Sequence, residues 1–125
     1  MAASAVITVS DRCAAGLAED RSGPLIVAAL AEAGHVVTHR VIPDGAESVA
    51  GALRETIAAG ARLVVTTGGT GVAPRDRTPE GTSVVVDREL PGVAELLRAG
   101  GLAVSAHAAL SRGIAGVVDA RADHP

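Results

Sequence analysis

Three short apolar runs rich in β-branched residues alternate with two stretches whose apolar positions recur every three or four residues. Residues 5–9 (Ala-Val-Ile-Thr-Val), 35–42 and 63–66 read as strands. Between them, a helix opens at Ser22-Gly23-Pro24, where proline is tolerated in the first turn. It carries Leu25, Ala28, Ala29 and Ala33 at helical spacing and stops at Gly34. A second helix over 48–59 places Val49, Leu53 and Ile57 on one face and stops at Gly60. The order β-α-β-α-β with short connections predicts an α/β domain built on a parallel sheet with crossover helices. Residues 13–20 read as a loop.

The second half is less regular. Thr78-Pro79-Glu80 predicts a helix through about residue 86, with Thr78 as its cap and Glu80 suited to the positive helix end. The run from Asp87 to Gly92 breaks that helix. Residues 93–98 read as a short amphipathic helix, Gly100-Gly101 as a joint, 103–110 as ambiguous but closer to helix, and 114–118 as a short strand. The expected organisation is one domain over residues 1–118 and a polar tail over 119–125, disordered from residue 120.

Each predicted strand ends in a polar loop. Parallel strands bring those loops to one rim: Ser10-Asp11-Arg12, then Pro43-Asp44-Gly45, then Thr67-Gly68-Gly69-Thr70-Gly71. The β-branched run before the glycines predicts a buried strand. The glycines allow backbone N–H groups to approach an anion closely, at the end of the sheet where such folds bind ligands. A tight turn is the plain alternative. No Lys follows the glycines, and Gly-x-Gly-x-x-Gly cannot be written across them, so neither common nucleotide-binding fingerprint applies.

Asp44 and Asp76 read either as a carboxylate pair holding a divalent cation against phosphates, or as a helix cap and a turn residue. Asp11 and Arg12 read either as ligand contacts or as a surface ion pair. Ser111-Arg112-Gly113 carries the same two readings. No Ser, Cys or His has the partners of a nucleophile.

Composition narrows the classes. The chain has 125 residues, enough for one core, and 48% are apolar although Phe, Tyr and Trp are absent. The core must be Ala, Val, Leu and Ile. Net charge is −3 and all 11 basic residues are Arg. An acidic domain without aromatics lacks both the basic footprint and the stacking surface of a nucleic-acid binder. Cys13 is the only cysteine, so no internal disulfide or zinc cluster is written here. No apolar run approaches a membrane span and no secretory signal is present, so a cytoplasmic protein without membrane partners is expected.

Taken together, Ser10-Asp11-Arg12, Ile42-Pro43-Asp44, Thr66-Thr67-Gly68-Gly69-Thr70-Gly71, Asp76-Arg77-Thr78-Pro79-Glu80, Asp87-Arg88-Glu89-Leu90-Pro91-Gly92 and Leu110-Ser111-Arg112 occur in the order and spacing of a known family. From residue 5 to 118 the chain resembles the molybdopterin adenylyltransferases, the Mog/MoaB-like domains of molybdenum-cofactor biosynthesis. The resemblance implies a three-layer α/β/α domain with a mostly parallel sheet, usually trimeric. It implies transfer of AMP from Mg-ATP to the terminal phosphate of molybdopterin with release of pyrophosphate, and a product consumed by a molybdenum-insertion partner. The required aspartates fall on Asp44 and Asp76, which would hold Mg²⁺. Substrate contacts fall on Ser10, Asp11, Arg12, Thr67, Gly68, Gly69, Thr70, Gly71, Pro79, Glu80, Ser111 and Arg112.

The resemblance stops at residue 118. Family members continue with a core strand, a pocket loop and a closing helix, where residues 119–125 stand here. The expectations that follow are an uncovered sheet edge and an incomplete pocket, with a non-catalytic molybdopterin-binding or oligomerisation module as the alternative to the enzyme.

Overall fold

The computed structural model describes residues 3–119. At its centre lies β1 (Ala3–Val9), flanked by β2 (Val36–Ile42) and β3 (Leu63–Thr67), all parallel. The register runs from Ala3 opposite Val36 to Val9 opposite Ile42, and from Ser4 opposite Leu63 to Thr8 opposite Thr67. A four-residue helix α1 (Asp11–Ala14) and the longer α2 (Ser22–Glu32) lead from β1 to β2, and α3 (Ala46–Ala58) leads from β2 to β3. The chain leaves β1 to one side and returns across it to the other. A topological switch point therefore lies between the carboxyl ends of β1 and β3, where open α/β sheets bind ligands.

Alternation along β1 separates two faces. Ile7 and Val9 pack with Ile42, Val49, Ala52 and Leu53 under α3, with Val64 and Val85 against them. The expected stripe of Val49 and Leu53 is thus the core face of α3. The opposite face is partly polar. Thr8 Oγ1 donates to Asp20 Oδ2 at 2.7 Å and stands 3.0 Å from His39 Nε2, and Ser4 Oγ lies 2.5 Å from His35 Nδ1.

On that face α2 docks differently from the expected stripe. Leu25 is 72% exposed, and Ala28, Ala29 and Ala33 are exposed with it. Gly23, with half-buried Ile26, Val27 and Leu30, faces the sheet instead. Every residue from 24 to 31 is apolar, so periodicity could not choose a face. Contact chose it: a Cβ at position 23 would stand 2.4 Å from Thr8 Oγ1 and 2.5 Å from Asp20 Oδ2, and only glycine fits there.

Further departures have local causes. The expected loop at 13–20 begins inside α1, because the Ser10 hydroxyl accepts from the Cys13 N–H at 3.1 Å and caps a turn. The expected buried strand, β3, is half-exposed with Leu63 at 40%, since among the described residues it pairs only with β1. Helix α4 (Thr78–Ser83) ends three residues short of the expected 86. Thr78 does not cap it, because its hydroxyl donates to the Gly68 carbonyl. The breaking segment holds β4 (Arg88–Glu89), which pairs antiparallel with β5 (Gly116–Val117) in a separate ribbon. Helix α5 (Pro91–Leu102) runs straight through Gly100 and Gly101. Gly101 is a contact point rather than a joint: a Cβ there would stand 2.9 Å from Ala108 Cβ of the 3₁₀ helix Ala106–Leu110.

Of the expected polar tail, Asp119 pairs with Arg88 and its N–H donates to Asp87 Oδ2 at 2.8 Å. Residues 120–125 lie outside the described residues. No helix among the described residues is long and apolar enough to cross a membrane.

Candidate functional site

The glycine loop lies at the switch point, and its glycines are required there. Gly68 and Gly69 have φ of +96° and +69°, in the left-handed region. A Cβ at Gly68 would stand 2.1 Å from the Val9 carbonyl oxygen, so the end of β3 lies directly on the end of β1. A Cβ at Gly69 would stand 2.3 Å from Thr78 Oγ1 and 3.1 Å from Asp44 Oδ1, and one at Gly71 2.8 Å from Asp76 Oδ2. The loop is the seat against which both aspartates rest. Thr78 closes it from α4, donating its hydroxyl to Gly68 O at 2.8 Å and its N–H to Gly69 O at 3.0 Å.

Asp11 and Asp44 exchange hydrogen bonds across two strand-end loops. The Asp11 N–H donates to Asp44 Oδ2 at 2.9 Å and the Asp44 N–H to Asp11 Oδ1 at 3.0 Å. Asp44 therefore does not cap α3, whose cap position is Gly45. Arg75 grips the same pair: Nε and Nη2 each donate to an Asp11 carboxylate oxygen at 3.0 Å, and Nη2 to Asp44 O at 3.1 Å. This fork holds the Asp11 carboxyl below its ordinary range, helped by the Asp44 N–H against some desolvation, and it raises Arg75. Asp76 Oδ2 accepts from the Ala73 N–H at 3.0 Å. Of the first strand-end loop, Ser10 serves as the cap of α1, and Arg12 is exposed with no side-chain hydrogen bond or ion pair among the described residues.

Beside the loop opens a cavity of about 350 Å³. Its wall carries the hydroxyl residues Thr66, Thr67, Thr70, Thr78, Thr82 and Ser111, together with Gly68, Pro79, Gly113 and apolar side chains of α5. Arg98 is the one charged residue among those lining it. Asp44 and Asp76 are not on this wall; they meet the glycine loop through Gly69 and Gly71. The glycine loop thus serves two features: it lines a hydroxyl-rich cavity through Gly68 and Thr70, and it meets the carboxylates of Asp44 and Asp76 through Gly69 and Gly71.

A family model described as "Probable molybdopterin binding domain" matches residues 5–120. The chain belongs to this molybdopterin-binding domain family. It is 44% identical over 114 residues to the molybdopterin adenylyltransferase of Pyrococcus furiosus, covering 90% of this chain and 67% of that protein. It is also 44% identical over 108 residues to the molybdenum cofactor biosynthesis bifunctional protein of Synechococcus elongatus, covering 86% of this chain and 34% of the relative. The chain thus spans between a third and two thirds of the length of these curated relatives. Among solved structures, a molybdopterin biosynthesis protein from Mycobacterium abscessus superposes with a TM-score of 0.87 at 46% identity, covering 94% of this chain and 75% of that one. The three-layer α/β/α class with a parallel sheet is therefore the fold of the chain.

In this member of the family, Arg112 directs its donors to the protein. Nε donates to Gly71 O at 2.9 Å, Nη1 to Glu80 Oε2 at 2.7 Å, and Nη2 to Asp76 O at 2.6 Å and Glu80 Oε1 at 3.2 Å. Its backbone N–H donates to Thr70 O at 2.7 Å. Arg112 and Glu80 hold the site's shape. Their pairing lowers Glu80 below its ordinary range and raises Arg112.

Sequence reasoning missed Arg75, Thr78 as a loop anchor, and Arg98. Arg75 stands immediately before Asp76, and an arginine beside a candidate carboxylate was the available signal. Arg98 lies in a helix that reads as merely amphipathic, and nothing local distinguishes it.

The donor set fits a hard divalent cation shared with a polyphosphate, which needs one or two carboxylates rather than a protein cage. Asp44 Oδ1 and Asp76 Oδ1 accept no hydrogen bond among the described residues, so each offers an oxygen beside the glycine loop. No group of three His, Cys, Asp or Glu able to hold a metal occurs among the described residues.

Proposed function

We propose that this domain carries the active site of a molybdopterin adenylyltransferase. The observation that carries the reading is a single glycine loop that lines a hydroxyl-rich cavity and also meets two carboxylates, each with an oxygen that accepts no hydrogen bond among the described residues. Molybdopterin would occupy the cavity, its terminal phosphate held by N–H groups of the loop. The nucleotide would lie at Asp44 and Asp76, which would hold Mg²⁺. That ion supplies charge neutralisation between two polyanions.

A phosphate oxygen of molybdopterin attacks the α-phosphorus of ATP. The bond from that phosphorus to the β-phosphate bridging oxygen breaks, giving adenylyl-molybdopterin and pyrophosphate. The nucleophile is already anionic and needs no side-chain base, so the protein's work is positioning and electrostatics. A homotrimer and transfer of the product to a molybdenum-insertion protein belong to the same proposal.

The test is pyrophosphate release from Mg-ATP with molybdopterin, comparing the chain with Asp76→Ala. Release that the substitution abolishes supports the enzyme. Equal rates overturn it, and molybdopterin binding without release assigns the chain to a non-catalytic binding module.

A further inference from the structure

Nothing in the proposed reaction employs Arg75, yet its guanidinium bonds to both of the other strand-end loops, at Asp11 and at Asp44. Asp11 follows β1, Asp44 follows β2, and Arg75 and Asp76 follow β3. Reciprocal hydrogen bonds of 2.9 and 3.0 Å lock Asp11 to Asp44. Arg75 adds the third loop, with both Asp11 carboxylate oxygens at 3.0 Å and the Asp44 carbonyl at 3.1 Å.

Arg75 also moves with Asp76. Residues 73–76 close a turn in which the Asp76 N–H donates to Ala73 O at 2.9 Å and the Ala73 N–H to Asp76 Oδ2 at 3.0 Å. Pro74 occupies the second position of that turn, where its fixed φ is favourable. Fixing the Arg75 guanidinium therefore fixes the Asp76 carboxylate. The alternative, that Arg75 is a hook for phosphate, is disfavoured by where its donors point: two are spent in a parallel fork on Asp11.

We propose that Arg75 is a positioning residue that ties the Asp76 loop to the Asp44 loop through Asp11, setting the separation of the two carboxylates that receive the metal–nucleotide. This rests on the adenylyltransferase reading. The Arg75 side chain is 65% exposed, so removing it opens no core, and an exposed ion pair contributes little to stability. Its value lies in geometry.

The experiment is a double-mutant cycle read by calorimetric binding of the α,β-methylene analogue of ATP with Mg²⁺. Arg75→Ala and Asp11→Ala each weaken binding about tenfold, since a misplaced carboxylate loses its ligand geometry. The double variant is no more than about twofold weaker than the worse single one. Arg75→Lys, which keeps the charge without the fork, weakens binding as Arg75→Ala does. Molybdopterin affinity stays within about twofold of the parent in Arg75→Ala and Arg75→Lys. Multiplying losses in the double variant, full affinity in Arg75→Lys, or unchanged affinity in Arg75→Ala each overturn the positioning role while leaving the adenylyltransferase reading intact. Absence of Mg²⁺-dependent nucleotide binding by the parent chain overturns both.

Discussion

Arg112 and Glu80 meet as a fork, with Nη1 to Oε2 at 2.7 Å and Nη2 to Oε1 at 3.2 Å. The same guanidinium holds the carbonyls of Gly71 and Asp76, so one side chain fixes both ends of the segment that follows the glycine loop. A lysine keeps the charge and loses the planar set of donors. Arg112→Lys is therefore expected to lower the rate of pyrophosphate release at least about tenfold, because a small displacement of a reacting group is costly. Circular dichroism should remain that of the parent. Full activity in this variant would show that the segment is held by other means.

Acid should loosen these loops before it unfolds the core. The Glu80 carboxyl is lowered chiefly by its Arg112 hydrogen bond, and Asp11 by Arg75. Asp20 is lowered too: desolvation opposes this, but the Thr8 hydroxyl, the Gly23 N–H and His39 outweigh it. In each case the folded-state value lies below the unfolded one. The stabilisation is complete above the unfolded carboxylate values of about 4 and is lost as pH falls through the folded ones. Calorimetric melting should be level between about pH 7 and 5 and should decline below about 4.5. Glu80→Gln should flatten part of that decline. Melting temperatures that rise on acidification would contradict the assignment.

The three strands, their order in the chain and the glycine loop were legible because each is a local signal: a β-branched run closed by polar turn residues. The pairing of Asp44 with the glycine loop was legible only through the parallel topology, which brings strand ends to one rim. The docking face of α2 was not legible, because residues 24–31 are all apolar and the close approach of Gly23 to Thr8 and Asp20 decides it. Arg75 and Arg98 were missed for a related reason. Their roles depend on partners 31 or 64 residues away for Arg75, and 13 or 15 for Arg98. The candidate site residues read from the sequence lie in contiguous segments with unusual composition.

Two glycine substitutions should act in opposite directions. Gly68→Ala places a methyl group 2.1 Å from the Val9 carbonyl oxygen and forces a residue with a side chain to φ of +96°. The left-handed cost of about 1–2 kcal/mol and the overpacking cost of about 1–3 kcal/mol combine, for a loss near 3 kcal/mol or more. Gly100→Ala meets nothing within 4 Å and lies inside α5. It should stabilise the chain by about 0.5–1 kcal/mol. Urea unfolding of both variants measures the difference, and a neutral Gly68→Ala would mean that the ends of β1 and β3 do not abut as described.

Arg98 is the one charged residue among those lining the cavity, and it is held in place by carbonyls at 2.8 Å (Gly113) and 3.4 Å (Ser111). Those contacts use only Nη1, leaving other donors of the guanidinium for an anionic or heterocyclic ligand. Arg98→Gln removes the charge and keeps a polar side chain of related shape. It is expected to weaken molybdopterin binding about tenfold, the worth of one charge-assisted hydrogen bond. Ser111→Ala should weaken it by less, about threefold, as a neutral hydroxyl contact. Binding of the Mg²⁺ complex of the non-cleavable ATP analogue should be unchanged in both variants, because Asp44 and Asp76 lie apart from the cavity wall. Parallel titrations with the two ligands decide the assignment. If Arg98→Gln instead weakens nucleotide binding and spares molybdopterin, the two assignments are exchanged: the cavity takes the nucleotide, and the acceptor phosphate must enter from the carboxylate side.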